Sequence, residues 1–207
     1  MNHSVIQAAE AGTPPVEEPD PIIVRIATHA DVRYATFIAQ EMADSAKARG
    51  SGIGHRSVAS LCQKIYHGDA VIAVTKSGDW VGFSYIEVWE NGKFVSNSGM
   101  IVSPAYRMQG VATRIKKVIF ELSRQHYPDA NIFSITTGLA IMKLNSNLGF
   151  KPVTYSEITT DPAFWEKCKH CVNHETLLSK ACKNCFCTAM VFDVKEEEKQ
   201  LMQTNGQ

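Results

Sequence analysis

Met100-Ile101-Val102-Ser103-Pro104-Ala105-Tyr106-Arg107-Met108-Gln109-Gly110-Val111-Ala112 is the stretch whose reading decides the fold. An apolar run ends at Ser103-Pro104, and beyond it Val111, Ile115, Val118, Ile119 and Leu122 recur at helical spacing. A strand therefore passes into the clearest helix of the chain, with Gly110 and Ala112 at its start. A helix start leaves about four backbone N–H groups unpaired and carries a partial positive charge. Small residues there let an anion approach the backbone, so the junction is a candidate phosphate cradle. A bare R-x-x-G-x-A also occurs in ordinary loops, and the surroundings have to decide.

Downstream, Ile132 to Thr136 reads as a strand, Leu139 to Leu148 as a helix closed by Gly149, and Lys151 to Tyr155 as another strand. Upstream, the turn Asn91-Gly92 precedes a strand from Phe94 to Val102. Strands Val71 to Thr75 and Trp80 to Trp89 flank the hairpin signal Ser77-Gly78-Asp79. Ile22 to Ala27 makes a first strand, with Thr28 or Asp31 to cap the helix expected over 30–48 and a short helix over Ser57 to Tyr66. The order implies an α+β fold: a mixed, largely antiparallel central sheet with one βαβ crossover, flanked by helices, plus a small Cys-rich C-terminal appendage. The expected divisions are a disordered lead over 1–20, the sheet-bearing main domain over 21–160, a Cys-rich segment with a final strand over 161–193, and a charged tail over 194–207.

The 21 basic and 21 acidic residues cancel, so no global field draws the chain to a polyanion, and nucleic acid is not an expected partner. No stretch approaches the ~20 apolar residues that span a bilayer, and the amino terminus lacks a secretory pattern. The expected location is cytoplasmic, with no membrane partner.

With an apolar strand ending in Val-x-Pro, the glycine-opened helix, a following strand and Leu148-Gly149-Phe150, the chain resembles the GNAT acetyltransferase superfamily from about Ile22 to Tyr155. The resemblance implies an acyl-CoA-dependent N-acyltransferase whose co-substrate, acetyl-CoA, pairs its pantetheine arm with the backbone of Ile101 and Val102. Amides of Gln109, Gly110, Val111, Ala112 and Thr113 would wrap the pyrophosphate, and Arg107 holds the family's Arg/Gln position. Arg114 or Lys117 would reach the phosphates or simply face solvent.

Direct attack of an amine on the thioester needs a base, a donor for the developing oxyanion and an acid for the thiolate. Val102 N–H is the expected donor. Many relatives place the acid Tyr where this chain has Asn145, so Tyr155 or Tyr106 substitutes, or the thiolate leaves unprotonated. Some relatives carry a Glu where this chain has Ser96, which makes Glu87, on the preceding strand, the expected base; it also reads as a plain strand carboxylate. Arg49, His55 and Arg56 lie in a glycine-rich loop over the acceptor side, and Arg49 and Arg56 suit a carboxylate. The run from Asn97-Ser98-Gly99 to the cysteines also resembles a bacterial GNAT subgroup associated with arginine synthesis, which implies glutamate or a related amino acid as acceptor. The competing readings are an acyl-CoA or amino-acid sensor of the same shape and a protein or peptide N-acetyltransferase. A homodimer stays open.

Cys168-Lys169-His170-Cys171 and Cys182-Lys183-Asn184-Cys185-Phe186-Cys187 offer two C-x2-C units, a pattern for a structural four-thiolate zinc site. The ligand set is either Cys168, Cys171, Cys182 and Cys185, or Cys168, Cys171, Cys185 and Cys187; the subgroup resemblance favours the second. Buried thiols or disulfides are the alternatives. His170 and His174 are spare ligands, and Cys62 reads as core packing.

Overall fold

A computed structural model describes residues 20–50 and 56–204. The elements are β1 (Ile22–Ile26), a 3-10 turn (His29–Tyr34), α1 (Ala35–Arg49), α2 (Val58–Tyr66), β2 (Ala70–Thr75), β3 (Trp80–Trp89) and β4 (Phe94–Val102). They continue with α3 (Val111–His126), β5 (Asn131–Thr136), α4 (Leu139–Asn147) and β6 (Lys151–Val153). The Cys-rich segment follows with α5 (Pro162–Glu166), α6 (His174–Ser179) and β7 (Thr188–Phe192), and α7 (Val194–Thr204) ends the described chain.

The seven strands form one sheet in the order β1-β2-β3-β4-β5-β7-β6. Only β4 and β5 run parallel, joined through α3, so the βαβ crossover sits at the centre of an otherwise antiparallel sheet. Thr28 and Asp31, either of them the expected cap, act together as a capping box, over a 3-10 turn that precedes α1. β7 enters the sheet between β5 and β6 and thereby stitches the Cys-rich segment to the core.

Strand alternation sends side chains to opposite faces. Val71, Ala73, Val81, Ile86 and Val95 meet Val111, Ile115, Ile119 and Leu122 of α3 on one face. On the other, Ile72, Val74, Phe83, Tyr85 and Ile101 meet Ile38 and Met42 of α1 and Leu61 and Ile65 of α2. The same second face continues into Trp89, Phe94, Phe133, Tyr155, Leu177 and Val191, against which Phe164, Trp165, Cys168 and Cys185 pack. Glu90 fixes the approach to this segment: its Oε1 accepts from Thr160 N at 2.7 Å and Thr159 Oγ1 at 2.9 Å.

Lys116 stands off the apolar stripe of α3, yet it is 2% exposed. Its Nζ donates to Asn97 Oδ1 at 3.0 Å, Asn97 Nδ2 donates to Ser123 Oγ at 2.8 Å, and Ser123 Oγ donates to Ile119 O at 2.8 Å. The ammonium also lies 4.7 Å from the Phe150 ring centroid. Burial alone pushes the lysine down to about 7. The expected charged tail at 194–207 is helical over its described part, tied back by Arg124–Glu197 at 3.0 Å and Lys151–Glu196 at 2.5 Å.

Candidate functional site

β4 and β5 pair only from Phe94↔Asn131 to Ser96↔Phe133, and beyond that point they part. The cause is local to β4. Its register against β3 slips between Phe83↔Ile101 and Tyr85↔Ser98, a bulge centred on Gly99, whose φ is +63°. Glycine is needed there twice over: the left-handed conformation disfavours a Cβ, and a methyl group would overlap the Tyr85 ring. A glycine inside an apolar strand is the sequence signal for such a bulge.

Beyond the bulge the ladder is regular. Ser103 N donates to Val81 O at 2.9 Å, so antiparallel alternation makes Ile101↔Phe83 a hydrogen-bonded pair and Val102↔Gly82 a non-bonded one. The N–H and C=O of Val102 therefore face away from β3, toward the edge that β5 has left. Ile101 is turned into the ladder with β3, which corrects the expectation that both residues offer their backbone to a pantetheine arm.

The open edge leads into the start of α3. Gly110 caps the helix in left-handed geometry, φ 74° and ψ 3°, with no side chain capping it and open space where a Cβ would stand. Gly110 and Thr113 are exposed, Val111 is buried and Ala112 lies between. The first amides of α3 are thus approachable through Gly110, while Val111 anchors the turn in the core. Arg107 is turned elsewhere: Nε donates to Val102 O at 3.1 Å and Nη2 to Ser45 Oγ at 3.0 Å, with Glu41 Oε1 3.6 Å away. It braces the loop against α1 and points no charge at the helix start. Gln109 Nε2 donates to Ala105 O at 3.3 Å. Arg114 is likewise engaged, donating to Ile22 O at 2.8 Å, and Lys117 faces Glu121 at 4.0 Å.

On the opposite face, Glu87 pairs across strands with Ser96, the last β4 residue bonded to β5. It is 8% exposed and not the open carboxylate its strand position also allowed. Lys167 Nζ donates to Glu87 Oε1 at 2.5 Å and lies 4.5 Å from the Trp89 ring centroid. Arg56 Nε donates to the Tyr85 hydroxyl. Arg56, Ser57, Ser60, Glu87, Lys167 and His170 line an open pocket of about 360 Å³. Two helical-turn residues before and within Cys168–Cys171 thus form one wall, and neither Lys167 nor the pocket role of His170 was legible from the sequence. The Arg49 side chain and His55 lie outside the described residues.

No protein-family model and no curated protein sequence matches the chain. Solved structures do. N-acetylglutamate synthase from Neisseria gonorrhoeae, complexed with coenzyme A and N-acetyl-glutamate, matches with a TM-score of 0.57 and 15% identity over 84% of this chain, which spans only 35% of the synthase. Rv2747 from Mycobacterium tuberculosis, in complex with CoA, gives 0.57 and 16% over 83% of this chain and 98% of its own. A GNAT-family acetyltransferase from Staphylococcus aureus Mu50 gives 0.55 and 13% over 69% of this chain and 92% of its own. The chain has the GNAT fold. Among the described residues no helix is long and apolar enough to cross a membrane.

Beyond the GNAT crossover, the cysteines share one neighbourhood. Burial first, then Cys171, Cys185 and Cys182, push the Cys168 thiol up to about 11. Burial and then Cys185 push Cys187 up to about 12. Backbone N–H groups reach two of the sulfurs: Asn173 N to Cys171 Sγ at 3.4 Å and Cys187 N to Cys185 Sγ at 3.3 Å. Among the described residues, however, no three His, Cys, Asp or Glu side chains converge as a metal site. Cys182 is exposed and the other four are half-buried. Tyr155 belongs to this cluster: its hydroxyl donates to Cys187 O at 2.9 Å and lies 2.9 Å from Cys185 Sγ, and burial raises its pKa. β6 ends at Val153, so the tyrosine expected on that strand sits in a 3-10 turn with its proton committed to the Cys-rich segment. Asn145 is fully buried, its amide nitrogen 3.7 Å from Met190 Sδ.

Proposed function

We propose that the chain transfers an acetyl group from acetyl-CoA to a primary amine, with an amino acid such as glutamate as the leading acceptor. The observation that carries this is the β4 edge that β5 leaves beyond Ser96, with Val102 N–H turned toward it, running directly into the glycine-capped start of α3. A thioester laid along that edge puts its pyrophosphate against the amides from Gln109 to Thr113 and its carbonyl oxygen near Val102 N–H. The amine arrives as an ammonium and loses its proton to Glu87, directly or through water. Its nitrogen lone pair then forms the new C–N bond, Val102 N–H stabilises the developing oxyanion, and the C–S bond breaks. With Tyr155 occupied, CoA departs as the thiolate, which a thiol's acidity allows, and the second proton carried by the new amide nitrogen passes to solvent water. Arg56, together with Arg49, is proposed to hold the side-chain carboxylate of an acceptor such as glutamate.

The test is thiol release from acetyl-CoA over a panel of amino acids and polyamines. Turnover of an amine is expected; acetyl-CoA binding with no turnover across the panel favours a sensor of the same fold.

Zinc at Cys168, Cys171, Cys185 and Cys187 is proposed on the donor chemistry: two close Cys pairs in one neighbourhood, with N–H groups directed at Cys171 and Cys185. These side chains must rotate to close on one ion. Four sulfurs leave no open position, so the ion would be structural and takes no part in the reaction. About one zinc per chain is expected in reduced protein, retained in Cys182→Ser and lost in Cys187→Ser, by elemental analysis. Metal-free reduced protein overturns this.

A further inference from the structure

Resting on the transferase reading above, we infer that Lys167 of the Cys-rich segment is the specificity residue of the acceptor site, selecting amines that carry a carboxylate beside the amino group. In the pocket as built, Lys167 occupies Glu87, and the Trp89 ring backs the ammonium. Glu87 is therefore not open to a second cation. Arg56 lines the same pocket, and Lys64 lies within electrostatic reach of Glu87, Asp69 and Lys167.

A simple amine enters as one more cation. It has to displace Lys167 from Glu87 and leave that ammonium without a counter-ion in a partly desolvated pocket, which opposes binding. An amino acid does something different. Its carboxylate accepts from Lys167 Nζ while its ammonium donates to Glu87, so the two ion pairs exchange partners and no charge is left unmatched. The exchange also places the substrate nitrogen against the carboxylate that is to take its proton, one strand away from the point where β4 and β5 part. The carboxylate thus opens the site as well as binding to it. A volume of about 360 Å³ is at the small end of small-molecule sites, in keeping with an acceptor of amino-acid size.

The Cys-rich segment then has a function in acceptor choice: Lys167 directly precedes Cys168, and His170 directly precedes Cys171. Initial rates at saturating acetyl-CoA, with free L-amino acids including glutamate and with their α-amides, test this. The wild type should favour acids over amides by at least about tenfold in kcat/KM, the worth of one charge-assisted contact. Lys167→Met should bring that ratio to near one through the KM of the acid, Lys167→Arg should keep most of it, and the acetyl-CoA affinity of both should match wild type. Acids and amides used equally by the wild type, or a ratio unchanged in Lys167→Met, overturns the assignment while transferase activity stands. No turnover of any amine, polyamines included, removes the transferase reading as well. The wild-type ratio needs no variant, and melting temperatures separate misfolding of Lys167→Met from lost recognition.

Discussion

The two sides of the β4–β5 gap are built in different ways. On the α3 side the proposed cofactor site is made of backbone: the strand edge at Val102 that β5 has left, a glycine cap at Gly110 and the first amides of a helix. On the other side the proposed acceptor pocket is made of side chains from three distant segments, Arg56, Glu87 and Lys167, eighty residues separating the last pair. Backbone sites are written in local sequence, through glycine and periodicity. Side-chain sites are written in tertiary pairing, which one sequence does not display.

The sharpest way to break this comparison is Gly110→Asp. It adds a negative side chain where the pyrophosphate is to approach, and calorimetric titration should show acetyl-CoA binding lost. The open space around Gly110 limits the structural damage to the strain of a left-handed residue, about 1 kcal/mol. Unchanged affinity would move the cofactor off the α3 start. Glu87→Gln tests the other side: turnover should fall by about 10²- to 10⁴-fold with acetyl-CoA affinity retained. A fall below about threefold would leave Glu87 a structural partner of Lys167. Gly99→Ala joins the two sides, since the bulge opens the gap and its missing side chain makes room for Tyr85. A loss of about 3 kcal/mol in chemical denaturation is expected, from overpacking and a strained φ together. A variant as stable as wild type would mean that the strand accommodates a side chain without the bulge.

Most of the frame could be read from the chain because its signals are local. The apolar stripe of α3 begins at Val111 in the structure as in the sequence, and Ser57 caps α2 as its position suggests, accepting from Ser60 N at 3.2 Å. Three features could not be read. The insertion of β7 between β5 and β6 depends on a long-range choice of partner, because Thr188–Phe192 would pair with equal local propensity elsewhere. Arg107 carries the motif's charge, yet Ser45 and Glu41 on α1 draw it away from the helix start, and those partners are 62 and 66 residues distant. Tyr155 reads as a substitute for the acid missing at Asn145; β6 is two residues shorter than expected, and the tyrosine goes to the cysteines. Gly99 differs from these three, since a lone glycine in an apolar strand is itself the local signal of a bulge.

The smallest effect expected is at Lys116, where polar atoms are buried in the wall shared by the two sides. The folded lysine is pushed down to about 7, from an ordinary value near 10.5, by burial. Between those values the unfolded chain binds more protons than the folded one, so stability rises with pH across this window. The burial penalty is complete below about pH 7 and vanishes above about pH 10.5. Lys116→Met removes it and sets a sulfur near the Phe150 ring, at the loss of one donor to Asn97 Oδ1. The hydrogen bond and the ring contact already offset part of the penalty. The net gain should therefore be about 1–2 kcal/mol at pH 7 and should shrink steadily toward pH 10. Urea denaturation of both proteins at pH 7, 8.5 and 10 measures this difference. A variant less stable than wild type at pH 7, or a gain that grows with pH, would show that the Lys116–Asn97–Ser123 chain holds α3 to β4 more strongly than its desolvation opposes it.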